Sequence, residues 1–162
     1  MAGIWPGNIH CVVILTFDID GPTGSMNRVP DAESMPSLMS MGEYGPRTAM
    51  PRILDILDRY DIKSSFFIPG WVVEHYLDMV ADVVQRGHEV AHHGYIHEPP
   101  NTLSPQEEWE VLEKGISVLT KAVGNRPLGY RSPSWELSQH SLEYLAELGF
   151  KYDSSLMGDD AP

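Results

Sequence analysis

With 162 residues, 42% of them hydrophobic and 21% charged, the chain has the size and composition of one soluble globular domain with a real core. Its charge, 11 basic against 23 acidic residues or −12, repels phosphate backbones and anionic lipids and argues against nucleic acid or membrane as partner, although such charge also serves solubility alone. The lone Cys11 cannot form an internal disulfide and reads as a small apolar strand residue; with no apolar run near the ~18 residues of a membrane span and no leader pattern, a cytoplasmic protein is expected.

Residues 9–17 form a nearly continuous β-branched run, expected to be a strand buried on both faces as in a parallel sheet. It ends in Asp18-Ile19-Asp20-Gly21-Pro22, two carboxylates and a turn. Residues 22–46 are rich in Pro, Gly, Ser and Met, and a loop of that length is expected to serve as a lid or as a homo-oligomer contact. A helix is expected after Thr48, with Pro51 in its first turn and Ile53, Leu54, Ile56 and Leu57 on its buried face. Residues 63–68 read as a second strand closed by Pro69-Gly70, and about 71–86 as a helix stopped by Gly87. The third strand, about 88–92, runs into His92, His93 and His97.

Ser104-Pro105-Gln106-Glu107 is a capping box with proline at the first helical position, predicting a helix to Val123 that Gly124 ends. Residues 128–131 are a short fourth strand. Ser138 then caps a helix carrying Leu142, Leu145 and Leu148, and residues 150–153 begin a fifth strand. Strands alternating with helices imply a parallel sheet with right-handed crossovers, either an open doubly wound sheet or a barrel. Neither repeats nor linkers divide residues 1–162, so one domain is expected. No Gly-rich phosphate loop follows the first strand, which disfavours nucleotide binding.

The polar residues collect at predicted strand ends: Asp18 and Asp20 after the first, His93 and His97 after the third, Arg131 at the fourth, Asp153 at the fifth. In parallel α/β folds the carboxyl ends of the strands share one face, where sites are built. A carboxylate with two imidazoles is a common hydrolytic zinc set that leaves a coordination position open. A second carboxylate two residues away suits a general base, and an arginine would keep it ionised and oriented. Each piece alone has a plainer reading: the histidines as loop residues, the aspartates as turn formers, Arg131 as a surface ion-pair residue, Trp135 as packing. His88 and His92 are expected to be structural or to support the ligands. It is the combination at strand ends that points to a site.

These residues resemble the polysaccharide deacetylase family, carbohydrate esterase family 4. Thr16-Phe17-Asp18-Ile19-Asp20-Gly21 is similar to its first motif, His93-Gly94-Tyr95-Ile96-His97 to its second, and Arg131-Ser132-Pro133-Ser134-Trp135 to its third. The resemblance implies a distorted (β/α) barrel and metal-dependent hydrolysis of a non-peptide amide C–N bond, usually an N-acetyl group on an amino sugar. It implies Asp18 as base, Arg131 positioning it, and the Ser134 N–H as oxyanion donor. It further implies Asp20, His93 and His97 as ligands of a divalent metal, zinc first and cobalt, nickel or manganese as alternatives, with Tyr95 and Trp135 in the substrate pocket.

Three departures qualify this. Asp-Ile-Asp replaces two adjacent aspartates, and Gly94 stands where Ser or Thr is usual; both resemble an intracellular branch that includes peptidoglycan-deacetylase-like, allantoinase-like and cyclic imide hydrolases. The family's last motifs, with the general-acid histidine, would lie beyond Pro162. An incomplete barrel of about five strands is therefore expected, a fragment or one that another polypeptide completes. The expected substrate is an N-acetylated glycan or a small cyclic amide or imide. A non-catalytic metal- or glycan-binding module is the competing expectation.

Overall fold

A computed structural model describes residues 9–158. Five strands, β1 (Thr16–Asp18), β2 (Ser65–Ile68), β3 (Glu89–His92), β4 (Gly129–Tyr130) and β5 (Tyr152–Asp153), form one parallel sheet in the order β1-β2-β3-β4-β5. An order that follows the sequence, with no reversal, is that of a barrel wall and excludes the doubly wound alternative. With the helices on its outer side, the sheet is a half-barrel, the incomplete (β/α) barrel expected from the sequence. No helix of the described residues is long and apolar enough to cross a membrane.

Alternation along the strands builds two different faces. Outward, Phe66, Ile68 and Val90 pack on Leu54 and Leu57 of α3 (Met50–Arg59), Val72 and Val73 of α4 (Gly70–His75), Val80 and Val83 of α5 (Leu77–Gln85) and Leu119 of α6 (Pro105–Val123). His92 also faces out; a side chain on Gly115 of α6 would place its Cβ 2.1 Å from the His92 Nε2, so only glycine lets that helix lie so close. Inward, the wall is polar: Ser65 and Tyr152 both donate to the Glu89 carboxylate, and the Arg131 guanidinium lies 4.0 Å over the Phe67 ring. Helix α6 starts on the predicted capping box, Ser104 accepting from the Glu107 N–H and Glu107 from the Ser104 N–H, and ends at left-handed Gly124. Ser138 accepts from the His140 and Ser141 amides ahead of α7 (Ser141–Glu147), whose N-cap is His140 rather than the expected Ser138.

Four further expectations fail. Of residues 9–17, only the last two enter β1, and Val13 and Ile14 are 76% and 74% exposed. Burial on both faces needs a neighbour on each side, and among the described residues no strand flanks β1 on its outer edge. Residues 22–46 are not a loop: they hold α1 (Thr23–Met26), a 3-10 turn (Ala32–Ser34) and α2 (Pro36–Tyr44), then lead through a π-type turn (Gly45–Ala49) into α3. Proline in the first turn starts a helix as readily as it breaks one, and Pro36, Pro46 and Pro51 all sit there. Ile56 is 53% exposed, because Met50, Leu54 and Leu57 take the buried stripe of α3. The single helix expected over 71–86 is two, α4 and α5, separated at Tyr76 by non-helical backbone (φ −131, ψ 48).

Candidate metal centre

The Ile19 amide continues the sheet by donating to the Phe67 carbonyl (3.0 Å), and the Ile19 side chain joins the outer core. Its neighbours Asp18 and Asp20 therefore project the other way, toward the inner mouth. From β3 the alternation sends His92 outward, to the Leu112 carbonyl of α6, and His93 inward. His97 follows a turn of four residues. Asp20 Oδ1 stands 3.4 Å from His93 Nε2 and Asp20 Oδ2 3.5 Å from His97 Nε2; the three ligand atoms all lie within 4.8 Å of one another.

Two donors at about 2.1 Å from one tetrahedral ion stand about 3.4 Å apart, so these spacings are those of ligands around a shared centre rather than of hydrogen bonds. The donor chemistry fits too. The His93 Nδ1–H donates to the Arg131 carbonyl (2.7 Å), which leaves Nε2 as a lone pair aimed at the cluster. Asp20 Oδ1 and His97 Nδ1 are buried with no hydrogen-bond partner among the described residues. Burial pushes the Asp20 pKa up, but the neighbouring His93 and His97 rings and the Arg28 charge outweigh it and hold the carboxyl below its ordinary value. Burial also lowers the pKa of His97, partly offset by Asp20. At neutral pH the cluster thus holds a carboxylate and a neutral imidazole, the protonation states a cation requires.

Beside the triad, Arg131 Nη1 donates to Asp18 Oδ1 (2.6 Å) while Nη2 donates to Thr16 Oγ1 (2.9 Å) and Ser154 Oγ (2.7 Å). Anchored at three points and lying over Phe67, the guanidinium holds Asp18 in one orientation. The Arg131 N–H donates to the His92 carbonyl (3.0 Å), and the Ser132 N–H donates to Ser155 Oγ, itself held by Asp153. After Pro133 the chain adopts left-handed backbone twice in succession, at Ser134 (φ 61) and Trp135 (φ 57), and His97 (φ 62) is also left-handed. Among the described residues, three of the five non-glycine residues with positive φ therefore belong to this region; the other two, Asp31 and Asp61, are of a type that tolerates it. Trp135 is 55% exposed at the rim.

The structure brings together Asp18, Asp20, His93, His97 and Arg131. Tyr95 is directed elsewhere: its hydroxyl donates to Glu74 (2.8 Å) and Lys114 Nζ sits 3.3 Å from the centre of its ring. His88 is buried with Ser64, whose N–H it accepts, apart from the cluster. Sequence reasoning passed over Thr16, Asn27, Ser154 and Glu98. Thr16 was findable, lying two residues before Asp18 on the same strand face. Asn27, which donates to the His97 carbonyl (2.9 Å), carried no signal because residues 22–46 read as loop.

A parallel α/β half-barrel with an Asp-His-His cluster and an Arg-held aspartate at its strand ends defines the class of molecule. The chain belongs to the polysaccharide deacetylase family, whose model matches residues 9–152. It is 35% identical over 149 residues to the peptidoglycan deacetylase of Helicobacter pylori, an alignment covering 92% of this chain and 50% of that protein. Among solved structures it superposes with TM-score 0.91 and 38% identity on a candidate polysaccharide deacetylase from Mycobacterium smegmatis, over 94% of this chain and 54% of that one. The Puue allantoinase shares the fold, with TM-score 0.84 at 22% identity over 96% of this chain and 57% of its own. The chain thus spans about half the length of the relatives it matches.

Proposed function

We propose that this chain carries the metal-binding half of a hydrolase that removes N-acetyl groups from amino sugars of a glycan such as peptidoglycan. One observation carries the reading: an Asp-His-His cluster at metal-ligand spacing stands beside an aspartate oriented by a buried arginine. The family match and the Helicobacter pylori relative support the substrate class.

Asp20, His93 and His97 would hold a divalent cation of the zinc type, with cobalt, nickel and manganese accepted by the same donors. Such an ion, when bound, polarises the amide carbonyl and brings the pKa of water down to ~7. Asp18 takes the proton from the attacking water, and Arg131 keeps that carboxylate facing it. The Ser134 N–H, turned by its left-handed backbone, donates to the developing oxyanion. Trp135 at the rim meets the sugar ring. Tyr95, tied to Glu74, shapes the pocket only through the turn it belongs to.

The test is acetate release by the zinc-loaded protein from N-acetylated chitooligosaccharides and from peptidoglycan, with a cyclic imide in parallel. Acetate released from the glycans, and lost in the Asp18→Asn variant, is the expected result. Turnover of the cyclic imide alone would move the assignment to a cyclic amide hydrolase. Stoichiometric metal with no turnover of any substrate would make this a binding module instead. Undiminished metal content in a His93→Ala, His97→Ala double variant would remove the proposed ligands.

A further inference from the structure

The two histidines of the cluster are held in different ways. His93 is fixed through its far nitrogen, whose N–H donates to the Arg131 carbonyl (2.7 Å). The far nitrogen of His97 has no partner among the described residues, so no hydrogen bond behind the ring fixes it as one fixes His93. Its place depends on the backbone of the turn, and that turn is unusual: Gly94 (φ 73) and His97 (φ 62) are both left-handed within four residues.

The Gly70 and Trp71 amides of α4 hold the carbonyl side of the turn, at Gly94 (3.1 Å) and Tyr95 (2.9 Å), and Glu98 holds its amide side. A single carboxylate oxygen, Oε2, accepts from two successive amides, Tyr95 N–H (3.0 Å) and Ile96 N–H (2.8 Å). From the other side Asn27 donates to the His97 carbonyl (2.9 Å). Gly94 is part of the same arrangement. A Cβ there would lie 3.3 Å from that same Glu98 oxygen and 3.1 Å from Pro133, on a backbone that already disfavours a side chain. The space beside residue 94 is occupied by the carboxylate of residue 98.

We propose that Glu98 is a positioning residue for the metal site, holding His97 at ligand distance by clamping the Tyr95 and Ile96 amides. This rests on the assignment of Asp20, His93 and His97 as ligands. Glu98 touches neither metal nor substrate; it acts through the backbone that carries His97.

The experiment is a Co2+ titration of the chain, read by competition with a chromophoric chelator and by the visible spectrum of the bound ion. Glu98→Ala is expected to weaken Co2+ binding by about 10–100-fold, the range for groups that orient ligands, and to alter the spectrum. Glu98→Gln retains an oxygen able to accept both amides and should stay within about threefold of wild type, with the wild-type spectrum. Glu74→Ala, which removes the partner of the Tyr95 hydroxyl, should leave Co2+ affinity unchanged. If Glu98→Ala does not fold, Glu98→Asp keeps the charge but withdraws the oxygen, and a loss larger than that of Glu98→Gln is expected. Wild-type affinity and spectrum in Glu98→Ala, or equal losses in the alanine and glutamine variants, would overturn the proposal. Failure of the wild-type chain to bind Co2+ at all would instead remove the metal site on which it rests.

Discussion

Asp18 and Asp20 are two positions apart and have different neighbours. Asp20 faces two imidazoles, whereas Asp18 faces a guanidinium. The proposed ligand and the proposed base are thus distinguished by what the opposite strands present, and substitutions should separate them too. Asp18→Asn is expected to keep stoichiometric zinc while kcat for deacetylation falls about 10²–10⁴-fold, as for loss of a general base; metal analysis and acetate release check both halves. A second residue-scale prediction concerns His92, whose burial drives its pKa down to about 3. The folded value is below the unfolded 6.5, so the unfolded chain binds the extra proton. The stability given by neutral His92 is complete above about pH 6.5 and is lost as pH falls toward 3, at up to about 1.4 kcal/mol per unit. Buried His88 and His97, lowered in the same direction, add to the trend. Urea unfolding at pH 7.5 and 5.5 should show this loss, and a His92→Leu variant should show a shallower one.

Elements with their own start and stop signals were legible from sequence. Helix α6 carries both, a capping box and a terminal glycine, and its observed span is the one those signals predict. Ser104→Ala should cost about 1 kcal/mol, and Tm by calorimetry checks it. Strands β2 and β3 were legible because each holds a short apolar run, Phe66 to Ile68 and Val90-Ala91, and their ends abut Pro69-Gly70 and the histidines. Two of the failures share a cause: both needed information from other parts of the chain. Residues 9–15 have strand composition, but a strand exists only when something pairs with it. Residues 22–46 have loop composition, yet the proline-started helices fold and place Asn27 against His97. The candidate site was more legible than the fold around it, because its donors are chemically distinctive and fall where strands end. Glu98 and Asn27 were not, since each acts through a backbone turn that composition does not reveal.

At the scale of the molecule, the described residues form a sheet from β1 to β5 with a polar inner wall, and exposed apolar Ile9, Val12, Val13, Ile14 and Leu15 precede β1 in the chain. The cluster joins segments from the first and third strands, so occupancy ties distant parts of the chain together. Zinc in hundredfold excess over Kd should stabilise the fold by about 2.7 kcal/mol, raising Tm by roughly 5–10 °C. Scanning calorimetry with and without a chelator measures this, and a Tm indifferent to zinc would speak against a site in the folded state.

His92 and His93 are chemically identical neighbours, yet one is packed against a helix and the other joins the cluster. Nothing in the side chains makes that choice; it is made by parity, by whether a residue count along β3 is odd or even. The pairing of Val90 with Phe66 and Ala91 with Phe67 sets the count. Insertion of a single residue in β3 ahead of His92 would bring His92 to the inward place beside Asp20, whereas a deletion there would press His93 on Gly115. Strand register, with a glycine on α6 making room for one imidazole, thus decides which histidine faces Asp20.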